Sequence, residues 1–325
     1  MTGMTRATGA TGATGTRGVA GTAGVTRRTA MAAYLALLLA WSWFVGIPND
    51  PAGVVVWIWL ATIAWYAEDR ESSPLDFWRD WWKPLLLMVL YWLGRGLADG
   101  LGIAPHYSMP IRVDEWLFRG TAPTVTLQHA WCGEPCLRSM PPHWYDALLT
   151  TVYASHFLVA LTLAGVLWVR DREEWVRWLR RYLTLLFAGL AIYVAYPMAP
   201  PWMAARDGYL AEVHRVTGRG WSQIEWHGTE LHRQTMIMWG MGNKVAAMPS
   251  LHCGIACLVA LYGISRLRGA GRWSGLRWLL LLYPLAMALA LTYFAEHYVV
   301  DAICGCALAG LVMLGVGRWE RKRAA

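Results

Sequence analysis

The chain contains 325 residues, of which 56% are hydrophobic and only 15% are charged, with a formal net charge of +8. About a quarter of the residues of a soluble globular domain are charged, so this composition argues against a soluble enzyme. It also excludes a collagen-like, disordered or small disulfide-stabilised protein. The apolar residues cluster in blocks long enough to cross a bilayer as helices. We therefore predict an all-α polytopic membrane protein.

The chain begins with a tail rich in Thr, Gly and Ala, residues 1–28, which contains four arginines. This low complexity is typical of disorder, and we predict a disordered cytoplasmic tail. No signal-peptide cleavage pattern precedes the first apolar run, so we expect that run to be a retained span.

Eight apolar segments follow the tail, and we predict that each of them spans the membrane. The segments are Met31–Ile47, Val54–Ala67, Pro84–Ala98, Tyr145–Val169, Tyr182–Met198, Pro249–Ser265, Leu276–Phe294 and Tyr298–Gly317. Most Lys and Arg residues fall in the tail, in alternate turns and at the C-terminal end, so the positive-inside rule places both termini in the cytoplasm. The positive charge thus reports topology and does not indicate a nucleic-acid partner.

Two long polar segments, 99–143 and 199–248, are predicted on the outer side. Cys132 and Cys136 lie in the first segment and can form a disulfide if it faces an oxidising compartment. A zinc site with His129 or His143 is a weaker alternative, because a second Cys pair is lacking. The remaining cysteines lie in apolar spans, where packing is their default role.

The motif Met248-Pro249-Ser250-Leu251-His252 opens the sixth predicted span. Proline is favoured at the first helical position, where we expect Pro249. The amides that follow form an anion site at the helix N-terminus, and Ser250 and His252 add a hydroxyl donor and a titratable ring. Taken alone, the motif is equally consistent with an ordinary helix start.

A second motif, Glu296-His297-Tyr298-Val299-Val300-Asp301, opens the eighth predicted span. His297 and Asp301 are four residues apart, so we expect them to share one helix face. The carboxylate would accept from one imidazole nitrogen and leave the other free to react. A structural His–Asp pair is the alternative, and Glu296 is interpreted as an interfacial charge.

The spacing of the two motifs brings them to one side of the membrane. Forty-five residues separate His252 from His297, enough for two spans and a short turn. Two histidines and a carboxylate suit phosphoryl transfer, in which one His attacks phosphorus and the other protonates the leaving oxygen. Cations must then balance the phosphate charge. The candidates are Lys244, Arg95 and Arg206, and a solvated or interfacial charge is the alternative for each.

The two motifs together resemble the type 2 phosphatidic acid phosphatase superfamily, and more closely its inositol phosphorylceramide synthase-like branch. The resemblance covers roughly residues 84–317 and includes 113–118, 123–128, 144–146, 153–156 and 196–202. It implies a six-helix catalytic core over 84–317, preceded by two additional membrane helices within 29–83 and followed by a basic cytoplasmic end at 318–325. The segments 99–143 and 199–248 would cap the site.

The resemblance also implies residue roles. His297 would be the nucleophile, Asp301 its orienting partner and His252 the general acid, while Ser250 and the amides after it would bind phosphate oxygens. The chain departs from the superfamily pattern at Leu291, where an Arg usually stands six residues before the final His, and it lacks the upstream Lys-x6-Arg-Pro pattern. The phosphate-binding cations are therefore predicted only as the three basic residues named above.

We expect a lipid-linked phosphate donor and a polar alcohol acceptor at the extracytoplasmic face of the cell membrane, without a cofactor or a metal. An alcohol acceptor would make the protein a phosphotransferase, and water would make it a lipid phosphatase releasing inorganic phosphate. The long polar segments favour transfer, with Asp114 and Asp146 as partners of the acceptor. His156 also matches the branch pattern, and a purely structural role is its alternative.

Two functions from other classes stay open. One is a non-catalytic transporter or scaffold, although the chain shows no internal repeat of the kind found in transporters. The other is a metal-dependent membrane hydrolase that uses His252, His297 and Asp301 as ligands. The oligomeric state is left open by the sequence.

Overall fold

The computed structural model describes residues 26–48, 50–69, 73–221, 245–269, 271 and 273–325. Within these ranges the chain is mainly helical and contains no β-strand. The helices of at least six residues are α1 (Arg27–Phe44), α2 (Pro51–Trp65), α3 (Pro74–Gly100), α4 (Ser108–Leu117), α5 (Pro123–Trp131), α6 (Trp144–Arg170), α7 (Arg172–Ala195), α8 (Pro201–Arg206), α9 (Leu251–Arg266), α10 (Leu282–Tyr293) and α11 (Val299–Ala324). A short helix, Trp273–Leu276, and a 3-10 helix, Arg277–Leu281, lead directly into α10, and a second 3-10 helix covers Arg219–Trp221. Residues 1–25 of the predicted disordered tail lie outside the described residues.

Each of the eight predicted spans overlaps a helix, and the span Leu276–Phe294 is helical in three consecutive pieces, Trp273–Leu276, Arg277–Leu281 and Leu282–Tyr293. Among the described residues, Arg172–Ala195, Ser274–Tyr293 and Val299–Ala324 are long and apolar enough to cross a membrane on their own. The two parts of α6, Trp144–His156 and Leu158–Arg170, meet at 48° and give a fourth candidate if they form one span. The chain is thus an all-α membrane protein, as predicted. The number of crossings and the side of each terminus stay predictions.

Two helices begin about ten residues before the apolar run that they contain. The N-cap of α3 is Ser73, which forms a capping box with Asp76, whereas the predicted span began at Pro84. Similarly, the side chain of Asp171 accepts a hydrogen bond from the Glu174 amide and begins α7. The first turns of α3 and α7 are thus charged and lie outside the apolar run. They are stable as helix because the capping side chains accept hydrogen bonds from the first backbone amides.

The backbones of α9 and α11 contact each other through glycine. A Cβ added at Gly305 would lie 2.1 Å from the carbonyl oxygen of Ser250, and one at Gly254 would lie 3.1 Å from the carbonyl oxygen of Gly305. Small residues allow such close approach between membrane helices. The two helices that carry the histidine motifs therefore pack backbone to backbone at this point.

The described residues 101–143 and 197–221 form a segment next to the start of α11 that we call the cap. The Gln128 amide holds the cap by donating to the carbonyl oxygens of His214 at 2.7 Å and Tyr293 at 2.8 Å. Arg219 is fully buried, donates to the Pro141 carbonyl at 2.8 Å and lies 3.7 Å from Asp146. Buried polar groups of this kind fix a structure when they are hydrogen-bonded.

Candidate active site

Ser250 is the N-cap of α9, and its side-chain oxygen accepts a hydrogen bond from the Cys253 amide at 3.4 Å. Pro249 therefore lies before the cap, and the prediction that it occupies the first helical position is wrong. The Tyr193 hydroxyl donates to the Pro249 carbonyl at 2.8 Å, which fixes the approach to the helix. Because Ser250 uses only its oxygen in the cap, its hydroxyl proton can be donated to a ligand.

His297 lies just before α11, whose N-cap is Tyr298. The predicted shared helix face is therefore wrong, and the two side chains meet because Asp301 turns back toward the helix start. Its Oδ2 accepts a hydrogen bond from the Tyr298 amide at 2.9 Å and lies 3.5 Å from Nδ1 of His297. Among the described residues, neither Nδ1 of His297 nor Oδ1 of Asp301 has a hydrogen-bond partner.

The two histidine motifs are joined at their backbones and at their rings. The amide of Ser250 donates to the carbonyl oxygen of Asp301 at 2.9 Å. The ring centroids of His252 and His297 are 5.5 Å apart, and the ring planes make an angle of 63°. Both imidazoles are thus within reach of one small ligand, with Asp301 next to His297.

Helix α6 adds two more rings beside His252. The His156 ring centroid lies 4.3 Å from that of His252, and the Tyr153 centroid lies 5.1 Å from it on a nearly parallel plane. His156 and Tyr153 are three residues apart and so occupy neighbouring positions on one face of the helix. The His252 ring therefore has an imidazole neighbour on each of two other elements, His156 and His297.

Asp114 of α4 attaches the cap to the start of α11. Its two carboxylate oxygens accept hydrogen bonds from the amides of Val299 at 2.8 Å and Val300 at 2.9 Å. Burial raises the pKa of Asp114 from 3.8 to about 6, and these two hydrogen bonds oppose the shift. The first amides of α11 are therefore bonded to carboxylates of the protein itself.

The sequence profile of the PAP2 superfamily, the type 2 phosphatidic acid phosphatases, matches residues 129–315, which is more than half of the chain. The chain belongs to the PAP2 superfamily. A relative named "Phosphoinositol dihydroceramide synthase", from Bacteroides thetaiotaomicron, is 27% identical over 200 residues, which are 56% of this chain and 60% of the relative. The match thus spans less than two thirds of the relative. No solved structure matches the chain significantly.

The predicted family is confirmed, but the phosphate-binding cations of this PAP2 protein are not tested by these matches. The three candidate residues differ in their surroundings. The half-buried Arg95 interacts electrostatically with His156 and His252. Arg206 is exposed and bonds Asp207 through both carboxylate oxygens, at 2.7 and 2.9 Å. Lys244 lies outside the described residues.

The sequence did not single out Arg215, which the structure places near the histidines. Its Nε lies 2.7 Å from Glu296, which also accepts from the Thr217 hydroxyl, and the Arg215 charge acts on the nearby His252 ring. No local signal distinguishes Arg215 in the sequence, because it is one of several basic residues in a polar loop. Its partner Glu296 is 81 residues away in the chain.

The three predicted acceptor-binding residues occupy different environments. Asp114 is bonded to α11 as described. Asp146 is fully buried and accepts hydrogen bonds from the Tyr293 hydroxyl at 2.8 Å and the His143 amide at 2.7 Å. Only His156 contacts a predicted catalytic ring directly, so a role of the two carboxylates toward an acceptor stays a prediction.

Cys132 and Cys136 form a disulfide, and Arg219 contacts the sulfur of Cys132. The zinc alternative is contradicted at this position because both thiols are bonded to each other. His129 instead pairs with Glu134 at 2.8 Å. Across the part of the chain that the structure describes, no group of three His, Cys, Asp or Glu side chains is arranged to hold a metal ion.

Proposed function

We propose that this PAP2 protein is a membrane phosphotransferase that moves a phospho-headgroup between a lipid donor and a polar alcohol, by way of a phosphohistidine. The observation that carries the proposal is the adjacency of His252 and His297, with Asp301 beside His297. The family match supports lipid phosphoryl transfer. The name of the Bacteroides relative, a phosphoinositol dihydroceramide synthase, supports transfer rather than hydrolysis.

In the first step, Nε2 of His297 attacks the phosphorus atom of the donor lipid. An N–P bond forms and the P–O bond to the leaving lipid alcohol breaks, while the proton of His252 passes to the leaving oxygen. Asp301 accepts the Nδ1 proton of His297 in a hydrogen bond and stabilises the positive charge that develops on the ring. Their separation of 3.5 Å shortens when substrate binds, as is common for catalytic hydrogen bonds.

In the second step, the acceptor hydroxyl gives its proton to His252, which the first step left neutral. The acceptor oxygen then attacks phosphorus, and the N–P bond to His297 breaks. The product is a phosphodiester of the acceptor, and both histidines return to their initial protonation states. With water as the acceptor, the same step would release a phosphomonoester or inorganic phosphate.

The phosphate oxygens are held by the Ser250 hydroxyl and by the guanidinium groups of Arg95 and Arg215, whose charges act on the nearby His252 ring. Arg95 forms no ion pair with another described residue, and Arg215 shares its charge with Glu296. The first amides of α11 do not contribute, because Asp114 and Asp301 already accept their hydrogen bonds. Fixed positive groups of this kind stabilise the charge of the transition state.

The site is proposed to face the extracytoplasmic side. Both histidines lie at the N-terminal ends of their helices, whereas the opposite ends of α9 and α11 carry basic residues, Arg266 and the group Arg321, Lys322 and Arg323. Basic residues next to membrane helices favour the cytoplasm. Donor and acceptor lipids of the outer leaflet would then reach the site beneath the cap.

The test uses the purified full-length protein in mixed micelles with a phospholipid labelled at phosphorus, and with and without a polyol or an alcohol-bearing lipid. We expect a labelled phosphodiester that requires the added alcohol, and an acid-labile labelled protein when the alcohol is left out. His297→Asn, whose melting curve controls for folding, should show neither signal.

Each alternative predicts a different result. Release of only a labelled phosphomonoester or inorganic phosphate, with or without the added alcohol, would indicate hydrolysis and not transfer. Activity that disappears in excess chelator and returns with a divalent cation would indicate the metal-dependent hydrolase. Unchanged activity in His297→Asn would contradict the phosphohistidine and favour a non-catalytic role for the pair.

A further inference from the structure

A cavity of about 600 Å³ lies between α7 and α11, away from the histidines. Its walls are mainly apolar and include Leu183 of α7 and Leu311 and Val316 of α11. Gly315 lies between them, and a Cβ added there would meet no atom within 4 Å. Gly315 is 14 residues after Asp301, about 21 Å along the helix axis. The cavity, called the α7–α11 groove below, is therefore separate from the candidate active site.

One end of the α7–α11 groove is basic and aromatic. Arg180 and Trp319 line it, with the guanidinium 5.4 Å from the centroid of the indole ring. The guanidinium of Arg323 lies 4.4 Å from the same ring. Tryptophan and basic side chains of this kind collect where membrane helices meet the lipid headgroups. We therefore expect this end of the groove to lie at the level of the lipid headgroups.

The positive charge at this end is only partly balanced. Arg181 donates to both carboxylate oxygens of Glu320, at 3.2 and 2.7 Å, and Arg180 makes only a longer contact of 3.3 Å to one of them. The last turns of α11 add Arg318, Arg321, Lys322 and Arg323, against the single acidic Glu320. Excess positive charge beside an apolar groove between membrane helices matches the chemistry of an anionic phospholipid.

We propose that the α7–α11 groove binds an anionic glycerophospholipid, with an acyl chain along Gly315 and the phosphate at Arg180. The apolar walls take the chain because they are otherwise exposed, as Leu311 is at 66%. Arg180 donates to the headgroup with the N–H groups that Glu320 does not use. The occupant is a lipid of the leaflet at the C-terminal end of α11, and it is distinct from the substrate.

The test measures lipid retention by native mass spectrometry on the full-length protein in detergent, after exchange with equal amounts of phosphatidylglycerol and phosphatidylcholine with the same acyl chains. We expect the wild type to retain phosphatidylglycerol. Gly315→Leu fills the groove and should abolish retention. Gly310→Leu is the matched control, since Gly310 is on the same helix, also has no atom within 4 Å of an added Cβ and does not line the groove.

Arg180→Gln separates the headgroup contribution from that of the acyl chain. We expect it to reduce the preference for phosphatidylglycerol about fivefold and to leave phosphatidylcholine retention unchanged, because one basic residue near anionic headgroups contributes about that factor. Equal retention of the two lipids by the wild type would overturn the proposal. So would loss of lipid in Gly310→Leu to the same extent as in Gly315→Leu. Conversion of a wild-type dimer to a monomer by Gly315→Leu, without a change in bound lipid, would assign the groove to a second copy of the chain.

Discussion

Nδ1 of His297 lies 3.5 Å from Oδ2 of Asp301, the same oxygen that accepts the amide of Tyr298. One carboxylate oxygen thus begins helix α11 and faces the ring that we propose as the nucleophile. The same oxygen therefore fixes the position of Asp301 at the helix start and places its negative charge next to the His297 ring. Substitutions at Asp301 can separate these two contributions, because an amide keeps the acceptor oxygen and loses the charge.

Asp301→Asn is expected to fold and to lose activity. The amide oxygen still accepts the Tyr298 N–H, but the neutral side chain no longer stabilises a charged imidazole or fixes its tautomer. We expect kcat to fall about 10³- to 10⁴-fold, as in the comparable substitution in a serine protease triad. Initial rates measure the loss of activity, and thermal melting in detergent measures whether the variant is folded.

Asp301→Ala should lose activity and also about 1–3 kcal/mol of stability, because it leaves the Tyr298 N–H buried without an acceptor. Asp301→Asn with more than a tenth of wild-type activity would contradict the proposed role.

Gly305→Ala is expected to destabilise the contact between α9 and α11. The new Cβ would lie 2.1 Å from the Ser250 carbonyl oxygen, so the backbones must separate at the point where the two motifs are hydrogen-bonded. We expect a loss of about 1–3 kcal/mol and reduced activity. The control is Gly310→Ala, where the added Cβ contacts nothing and helix propensity predicts a gain of up to about 1 kcal/mol. Equal melting temperatures for the two variants would show that the contact is unimportant.

The buried carboxylate of Asp114 predicts a pH-dependent stability difference. Its pKa is raised from 3.8 to about 6, so the folded protein binds more protons than the unfolded chain between these values, and the group's contribution to stability falls as the pH rises through this interval. Asp114→Asn resembles the protonated side chain and does not titrate. The melting temperature of Asp114→Asn relative to wild type should therefore rise between pH 4 and pH 7, by an amount corresponding to about 2–3 kcal/mol. A difference that does not change with pH would contradict the shifted pKa.

The proposed phosphate contacts predict different effects for two arginines of the cap. Arg215→Gln should reduce kcat/KM about 10²-fold, because it removes a charge that acts on the site of the developing negative charge. Arg206→Gln is the control, since Arg206 is exposed, pairs with Asp207 and lies over the same Trp202 ring as Arg215. We expect a change below about twofold for this variant. Steady-state kinetics with a phospholipid substrate give kcat/KM for the two variants. Equal reductions of kcat/KM in Arg215→Gln and Arg206→Gln would contradict a phosphate contact of Arg215 and leave it a structural role through Glu296.

The sequence predicted the helices better than their ends. All eight apolar segments are helical because the apolar run is a property of neighbouring residues. The helix starts at Pro74 and Arg172 were missed, since their signals are the capping residues Ser73 and Asp171 and not hydropathy. In the same way, Pro249 was assigned to the helix that Ser250 begins.

The predicted catalytic residues came from short motifs, whereas their supporting residues depend on distant contacts. His252 and His297 are adjacent because two neighbouring helices begin at the same end of the fold, which the spacing indicated. The pairing of Asp114 with Val299 joins residues 185 positions apart, and that of Arg219 with Tyr293 joins residues 74 apart. No pattern in one sequence identifies such pairs. These pairs depend on how the cap packs against the helices, which is a property of the folded structure.

The hydrogen bond from the Ser250 amide to the Asp301 carbonyl has a consequence for engineering this enzyme family. Because the bond joins main-chain atoms, it survives exchange of either motif as long as the two backbones can still approach each other. A chimera should therefore work only when the exchanged segments keep glycine at 305, where a Cβ would meet the Ser250 carbonyl oxygen.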